Sequence, residues 1–580
     1  MEEKYWQEVP EAQYPVLRGQ QKCDVAIVGG GLVGVTLAWM LTRQGVHTAL
    51  VEAKPLGCGA ASGCTGKVTA QLEETYERVL RAQGHEAAQL LCEMQRDAVK
   101  GVVALAKGTG TPMGLASQTV YVSALAPDQV PAVESLLRLE QSIGLPVAWE
   151  TDHGDCPVPS YAAIRLERQA LLEPLAYLHA LAAQASEGGC AIFTNSPVTS
   201  LEPQLVLTRS GSLRAQIIVL CTGTPIHMKQ LPLLAMLEQR TAMLAILEGT
   251  PTFTGSYLEY RSEGVTLRPV PGGALVVGDL GITGSKCLRT QADAFTKACR
   301  QFFPDARLTG SWVRQDVYSR DGMPLVGPLE KRDSHLLVAT GLSGWGLTGS
   351  YLAARLLWRN ILGRSQPEAR FFLPHRSYAK KFAVMLPGAL REAGAMAAMV
   401  FHRDMPKCTH MGCRLRYFPQ AQRWECPCHG SAFSILGEVR AAPAAEDVPP
   451  ARDWEAQLDA SAAVIGDTGL HLAALAAQTG TESPLLPESL ERISSLEESC
   501  RQLDRRLSAL EGQAGNGHSD ATLLMETVER LTHLEEQVQA LQDAPAASGK
   551  APATADSERV ARLEEERRML AQRVEALEHQ

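Results

Sequence analysis

The sequence lacks the features that mark secreted, membrane-spanning and nucleic-acid-binding proteins. Its first residues, MEEKYWQEVPEAQYP, contain no basic stretch followed by an apolar stretch, so no secretory signal is expected. The longest apolar run, residues 25–41, is interrupted by four glycines and predicts a strand and a turn rather than a membrane span. The net charge is -9, from 55 basic and 64 acidic residues, which disfavours a broad nucleic-acid-binding surface. We therefore expect a soluble, cytoplasmic protein without a transmembrane segment or a nucleic-acid partner.

Disorder and fibrous structure are also excluded, because 45% of the 580 residues are hydrophobic and 21% are charged, as in ordinary globular proteins. At about 150 residues per domain, this length predicts roughly four structural units. Changes in composition and pattern place the first unit at residues 1–365 and the second at 376–450. A linker at 451–483 and a tail at 484–580 follow.

The first unit has the pattern of an α/β fold. Apolar runs such as CDVAIVGG, HTALVEA, AQIIVLCTG and HLLVATG predict strands, and residues 85–106 and 169–187 predict helices between them. The second unit predicts short strands and tight loops, although residues 376–407, which precede those loops, have a partly helical pattern.

The tail contains three short heptad blocks, at residues 493–510, 524–541 and 560–577. The breakers GQAGNGHSD and APAASGKAPATAD separate them. Each block is only about three heptads long, at the lower limit for a persistent coiled coil. The tail therefore predicts either a segmented coiled coil that supports oligomerisation or partner docking, or solvated single helices on flexible linkers.

A dinucleotide-binding motif stands near the N-terminus. The strand 23–28 runs into Gly29-Gly30-Gly31-Leu-Val-Gly34, a G-x-G-x-x-G pattern that is followed by a predicted helix. The glycines allow a tight turn, the approach of backbone to a pyrophosphate, and close packing of helix on strand. Glu52, 18 residues after Gly34, ends the next strand at the position expected for the acid that binds a ribose hydroxyl.

The loop 57–71, GCGAASGCTGKVTAQ, resembles the small-residue loop of the D-amino-acid oxidase and glycine oxidase superfamily of FAD enzymes. Three further segments match this superfamily in the same order, and the resemblance covers about residues 20–362. It implies an FAD-binding, Rossmann-like domain with an inserted α+β substrate domain, and it favours FAD over NAD. The implied flavin contacts outside the glycine motif are Val198, Thr222, Gly223, Gly341, Gly344, Trp345 and Gly346.

The resemblance is weaker on the substrate side. Amino-acid oxidases of this superfamily often carry W-x-G-L-R-P before a D-G-x-P motif, and the arginine binds the substrate carboxylate. Here Asp316 occupies the place of that arginine, and an aspartate repels a carboxylate. Arg314, Arg320 or Arg268 are weak candidates to replace it, and an amine becomes a plausible substrate class. Asp316 is equally well explained as a structural acid that pairs with a nearby arginine.

Four of the fourteen cysteines lie within residues 408–428, and such a cluster in a cytoplasmic protein indicates metal binding. They form two boxes, Cys408-Thr-His410-Met-Gly-Cys413 and Cys426-Pro-Cys428-His429-Gly-Ser, which resemble those of Rieske [2Fe–2S] proteins. The resemblance implies that Cys408 and Cys426 bind one iron, that His410 and His429 bind the other, and that Cys413 and Cys428 form a disulfide.

Two other metal sites fit the boxes less well. A structural zinc ion needs four ligands, and the boxes hold six candidates. A Rieske oxygenase also needs a mononuclear 2-His-1-carboxylate site, and no such group of histidines stands out elsewhere in the sequence.

The two cofactor motifs together predict an FAD-dependent dehydrogenase with an all-β Rieske domain and a helical tail. Flavins accept two electrons from a C–H bond and Rieske clusters carry one, so we expect electron transfer through the cluster to an external one-electron acceptor. The substrate class is an amine or an amino-acid-like molecule. Two alternatives stay open: a redox sensor or interaction protein with little turnover, and an amino-acid oxidase with a vestigial Rieske domain.

Overall fold

A computed structural model represents the chain. It describes residues 12–150, 155–158, 160–226, 231–260, 264–282, 288–331, 333–377, 381, 384–385, 406–409, 415–418, 423–426, 431–434, 437–441 and 448. The chain divides into two compact units, Met1–Arg452 and Asp453–Gln580. The second unit contains the predicted heptad blocks and lies outside the described residues, so the coiled coil stays a prediction.

Three sheets are built from short and medium-length strands. The strands are β1 Gly19–Val28, β2 Thr48–Val51, β3 Lys67–Val68, β4 Ala116–Ala124, β5 Ala148–Glu150, β6 Ala162–Leu171, β7 Ala191–Phe193, β8 Val198–Glu202, β9 Leu205–Thr208, β10 Gly211–Leu220, β11 Leu237–Glu248, β12 Ser256–Glu259, β13 Val265–Val270, β14 Gly273–Ile282, β15 Arg307–Ser319, β16 Leu325–Glu330, β17 Asp333–Thr340, β18 Arg416–Phe418, β19 Arg423–Glu425, β20 Ala432–Ser434 and β21 Val439–Ala441.

Helices connect and cover these sheets. The α-helices are α1 Leu32–Thr42, α2 Glu74–Gln83, α3 His85–Thr109, α4 Val130–Ser142, α5 Pro174–Glu187, α6 Leu231–Ala235, α7 Leu288–Phe302 and α8 Gly346–Ile361, and Pro127–Gln129 and Pro367–Phe372 are 3₁₀ turns. The predicted helix over 169–187 begins only at Pro174, because residues 169–171 complete strand β6 and proline at the first helical turn needs no N–H partner. Among the described residues, no helix combines the length and apolarity that crossing a bilayer requires.

The first sheet has the strand order β16-β17-β10-β1-β2-β7, and the hairpin of β8 and β9 extends from β10. The strands β17, β10, β1, β2 and β7 are parallel, as a Rossmann-like fold requires. The end of β1 is apolar at every position because both of its faces are buried. Side chains of α1, α5 and α8 belong to the core on one face, and side chains of the β8–β9 hairpin to the core on the other.

The second sheet has the order β15-β11-β14-β13-β12-β4-β6-β3, with β5 beside β6. Its long strands β11, β14 and β15 are antiparallel, and alternate side chains therefore point to opposite faces. One face is apolar and is packed by α7, where Phe295 lies directly against Gly278. The other face carries polar and charged side chains, and this is the face that meets the first sheet's loops.

The third sheet consists of the antiparallel strands β18-β19-β20-β21 and belongs to the region of the two cysteine boxes. Each strand has three residues, and Trp424 and Phe433 are buried between them. The strand-and-loop character expected for this region is therefore present in the residues that the structure describes.

Candidate flavin and iron–sulfur sites

The phosphate-binding loop lies between β1 and α1. Gly29 has φ 113°, and a Cβ at this position would lie 2.5 Å from the carbonyl oxygen of Cys221 at the end of β10. A Cβ on Gly34 would lie 2.0 Å from the carbonyl oxygen of Gly29, so only glycine lets α1 approach the strand this closely. By contrast, a Cβ on Gly31 would meet no atom within 4 Å. The space at Gly31, at the amino end of α1, fits a pyrophosphate held by helix N–H groups.

Glu52 follows β2 and faces this loop. Its carboxylate accepts hydrogen bonds from the backbone N–H of Gly30, at 2.6 Å, and of Lys54, at 2.9 Å. Burial raises the pKa of Glu52. The predicted adenine segment lies beside it, because the N–H of Ser196, two residues before Val198, donates to the Glu52 carbonyl oxygen at 2.9 Å. Side chain and neighbouring backbone are thus placed as the binding of an adenosine ribose requires.

The other predicted flavin segments meet at the same edge of the first sheet. Thr222 and Gly223 follow β10, and the hydroxyl of Thr340, at the end of β17, donates to the Gly223 carbonyl oxygen at 2.5 Å. Gly341 and Gly344 have φ 71° and 84°. Trp345 precedes α8, which begins at Gly346, and its indole N–H donates to the Thr75 hydroxyl at 3.4 Å. Ligands of parallel α/β folds bind at this edge, beyond the carboxyl ends of the strands.

A cavity of about 130 Å³ opens between the two sheets. Residues of the small-residue loop and of the 343–346 segment line one side, and the polar face of the second sheet lines the other. Its walls therefore combine both segments expected at a flavin ring with the sheet of the inserted domain. The charged residues of the lining are Lys67, Arg78, Arg240, Arg314, Glu73, Glu74, Glu259 and Asp279.

Of the four weak catalytic candidates, the structure places Arg314 in the wall of this cavity. Asp316 lies on the same face of β15, where it accepts backbone hydrogen bonds from Val317, at 2.8 Å, and from Gly344. Burial raises the pKa of Asp316, and the positive charge of Arg314 opposes this. Asp316 therefore braces the 343–346 segment and Arg314, in agreement with the structural explanation considered for it.

The remaining two candidates have partners away from the cavity lining. Arg320 forms an ion pair with Glu238, at 2.9 Å. Arg268 is buried, and its guanidinium donates to the carbonyl oxygens of Thr65 and Pro269. Arg268 therefore holds the backbone of the small-residue loop in place.

Sequence reasoning did not single out two ionisable residues of the cavity. Lys67 forms part of β3, and its ammonium nitrogen lies 5.9 Å from the centre of the Trp345 ring. Burial lowers the pKa of Lys67 to about 8 and raises that of Glu73 to about 7. Lys67 stands in the quoted loop, but Glu73 and Glu74 look like ordinary acids at a helix start. Only the fold brings them to the cavity.

The cysteine boxes are described in part. Cys408 and Cys426 are buried, and the N–H of Cys426 donates to the Ser431 carbonyl oxygen at 2.7 Å across the second box. His410, His429, Cys413 and Cys428 lie outside the described residues, so the histidine ligands and the disulfide stay predictions. Two buried thiols on neighbouring loops fit the sulfur half of the ligand set of a Rieske cluster.

Comparison with known proteins agrees with these sites. Residues 24–359 match the DAO family of FAD dependent oxidoreductases, and residues 401–452 match the Rieske [2Fe-2S] domain. The chain is 27% identical to YhfW of Bacillus subtilis (strain 168), whose name describes a Rieske 2Fe-2S iron-sulfur protein; the match covers 76% of this chain and 96% of YhfW. One of the polypeptides of the opine oxidase of Rhizobium meliloti is 24% identical, over 54% of this chain and 88% of that polypeptide.

Among solved structures, glycine oxidase from Geobacillus kaustophilus has the same fold, with a TM-score of 0.52 and 18% identity over 62% of this chain and 100% of that one. Fold, phosphate loop and cysteine boxes thus define an FAD-dependent oxidoreductase with a Rieske domain. The chain belongs to the DAO family of FAD dependent oxidoreductases. Its cofactors are FAD and a [2Fe–2S] cluster.

Proposed function

We propose that this protein is a cytoplasmic dehydrogenase that oxidises an amine or amino-acid-like substrate and passes the electrons through its Rieske domain to an external one-electron acceptor. FAD supplies two-electron oxidation of a C–H bond, and the cluster supplies one-electron transfer. The observation that carries the proposal is the cavity, whose lining has four basic and four acidic side chains beside both flavin segments. Such a lining suits a small molecule that carries charge.

The charges of the cavity are arranged for a substrate with two ends. Arg314 is available for a carboxylate, and its planar guanidinium suits bidentate hydrogen bonding. Glu73, Glu74 and Asp279 offer negative charge for an ammonium group. The names of two relatives, opine oxidase and glycine oxidase, describe enzymes that act on amino-acid-like molecules.

Contact between the two cofactor regions supports electron transfer within one chain. The ammonium group of Lys54, two residues after Glu52, donates to the carbonyl oxygen of Val439 in β21 at 3.4 Å. The backbone that holds the ribose site therefore lies against the Rieske sheet, in the same compact unit. A separate acceptor is needed after the cluster, and the proposed route ends there.

The proposal is tested by anaerobic mixing of the purified protein with single amines, amino acids and opines. We expect a substrate to bleach the flavin absorption and to produce the electron paramagnetic resonance signal of a reduced Rieske cluster. Stoichiometric hydrogen peroxide in air, with no cluster signal, would instead support the oxidase. Absence of reduction by every compound, while a reducing agent still reduces both cofactors, would support the redox sensor.

Replacing one cluster ligand separates the two redox steps. We expect Cys408→Ser to abolish the cluster signal and to lower the rate of electron transfer to a ferricyanide or cytochrome acceptor at least tenfold. The rate of flavin bleaching by substrate should change less than twofold, since Cys408 is not among the residues that line the cavity. Cys156→Ser, at a partly buried cysteine outside the boxes, is the control. Equal acceptor rates in Cys408→Ser and the control would contradict electron transfer through the cluster.

Replacing Arg314 tests which end of the substrate it binds. We expect Arg314→Met to raise KM about 10- to 100-fold for substrates that carry a carboxylate, because a hydrogen-bonded charge pair contributes about 1.5–3 kcal/mol. Arg314→Lys should show a smaller rise, and amines without a carboxylate should be affected least. Steady-state kinetics with a matched amine and amino acid measure this, and an equal rise for both would remove the carboxylate role.

A further inference from the structure

Glu73 is held in an unusual conformation at the edge of the cavity. Its backbone has φ 49° and ψ -129°, a region that residues with a Cβ rarely adopt. The side chain of Gln71 stabilises it, because its carbonyl oxygen accepts the N–H of Glu73 at 3.0 Å. Gln71 is itself fully buried and donates to the buried Glu140 at 3.0 Å. Strain that is maintained by a buried network is a feature of functional sites.

The charges around Glu73 and Lys67 divide the cavity into two ends. Glu74 and Asp279 lie close enough to Glu73 to raise its pKa, while Lys67 lowers it. On the Lys67 side, Arg314 and Arg268 lower the pKa of the ammonium group, and Cys64 and Glu73 raise it. Asp279 is itself paired with Arg240, at 3.0 Å. Glu73 therefore stands at the acidic end, with the positive charges of Lys67 and the two arginines beyond it.

We propose that Glu73 accepts the proton of the substrate's ammonium group, and that Lys67 is the positioning residue that sets the pH range in which it does so. This inference rests on the proposed function, because it requires a substrate with an ionised amine. In the step, an N–H bond of the ammonium group breaks and its electron pair stays on nitrogen. The proton forms an O–H bond with the Glu73 carboxylate. The freed lone pair then assists loss of hydride from the adjacent carbon.

The chemistry of Glu73 agrees with this role. A general base is most effective when its pKa lies near the working pH, and burial brings the pKa of Glu73 to about 7. Since the carboxylate is the active form, kcat/KM should rise with pH through about 7. Replacing Lys67 with methionine removes a positive charge that stabilises the carboxylate. The rise should then move to higher pH, by about 1–3 units.

Kinetics of the variants test the proton transfer. With any amine that bleaches the flavin, we expect Glu73→Gln to lower the bleaching rate about 10²- to 10⁴-fold and to lose the rise near pH 7. Glu73→Asp should keep a rise at reduced rate, and Lys67→Met should keep it at higher pH. Glu86→Gln, in the exposed pair with Arg370, is the control for loss of a carboxylate. A wild-type rate and pH profile in Glu73→Gln would overturn the proposal.

Binding of tetramethylammonium gives a readout without turnover. This cation has no N–H proton, and its binding is followed by the change in flavin absorption, with potassium chloride as the salt control. We expect affinity to fall as the pH drops through about 7, and to be weaker and independent of pH in Glu73→Gln. Equal, pH-independent binding in both proteins would overturn the role of Glu73.

The two experiments distinguish the inference from the proposed function. If amines bleach the flavin but Glu73→Gln behaves as wild type, only the proton-accepting role fails. If tetramethylammonium binding depends on Glu73 but no amine or amino acid bleaches the flavin, the proposed function fails and the proton transfer fails with it. In that case Glu73 is a cation-binding residue alone.

Discussion

Arg376→Ala is expected to destabilise the flavin domain by about 3–5 kcal/mol, because it leaves the charge of Asp321 buried without its partner. Arg376 and Asp321 are joined by contacts of 2.7 and 3.0 Å, and neither is more than 5% exposed. The same guanidinium donates to the carbonyl oxygens of Met323 and Pro324. It therefore ties the chain after α8 to the D-G-x-P segment. The apparent Tm of the FAD-bound protein should fall by at least about 6 °C.

Two further variants complete this test. Arg370→Ala, in a pair with Glu86 whose side chains are 63% and 73% exposed, should cost less than about 1 kcal/mol. Combining Arg376→Met with Asp321→Asn should recover part of the stability that Arg376→Met loses, since no lone charge stays buried. A Tm for Arg376→Ala within about 1–2 °C of wild type would show that the pair contributes little.

Two glycines of the phosphate loop should lose FAD for different reasons. We expect Gly34→Ala to lower both the FAD affinity and the stability of the apoprotein, because its Cβ would lie 2.0 Å from the Gly29 carbonyl oxygen and push α1 away from β1. Gly31→Ala meets no protein atom within 4 Å, so apoprotein stability should be unchanged. Its FAD affinity should nevertheless fall at least tenfold, since the methyl group occupies space needed by the pyrophosphate.

Fluorescence titration of the apoprotein with FAD, together with thermal unfolding without FAD, measures both quantities. Gly108→Ala, in α3 and also without neighbours within 4 Å of its added Cβ, is the control, and it should bind FAD normally. If Gly31→Ala binds FAD as well as the control does, the pyrophosphate does not lie at Gly31.

The candidate site was only partly predictable, and the reason is the distance between its residues in the chain. Arg314 was one of four candidates, but the sequence could not rank it above Arg268 and Arg320. The structure separates them because alternation along β15 directs Arg314 into the cavity, whereas Arg320 is paired with Glu238. Lys67 and Glu73 reach the cavity through the packing of the first sheet's loops against the second sheet, which no local pattern records.

What the sequence determined by itself is local in the chain. The glycines at 29, 31 and 34 and the cysteine boxes identify their cofactors because close backbone approach and metal ligation depend on spacing over a few residues. The tertiary structure decided which charges share the cavity, that Asp316 braces its wall, and that Arg376 is bound to Asp321, 55 residues away. These contacts join distant strands and loops, and burial there changes the charge and pKa of each group in ways that spacing does not encode.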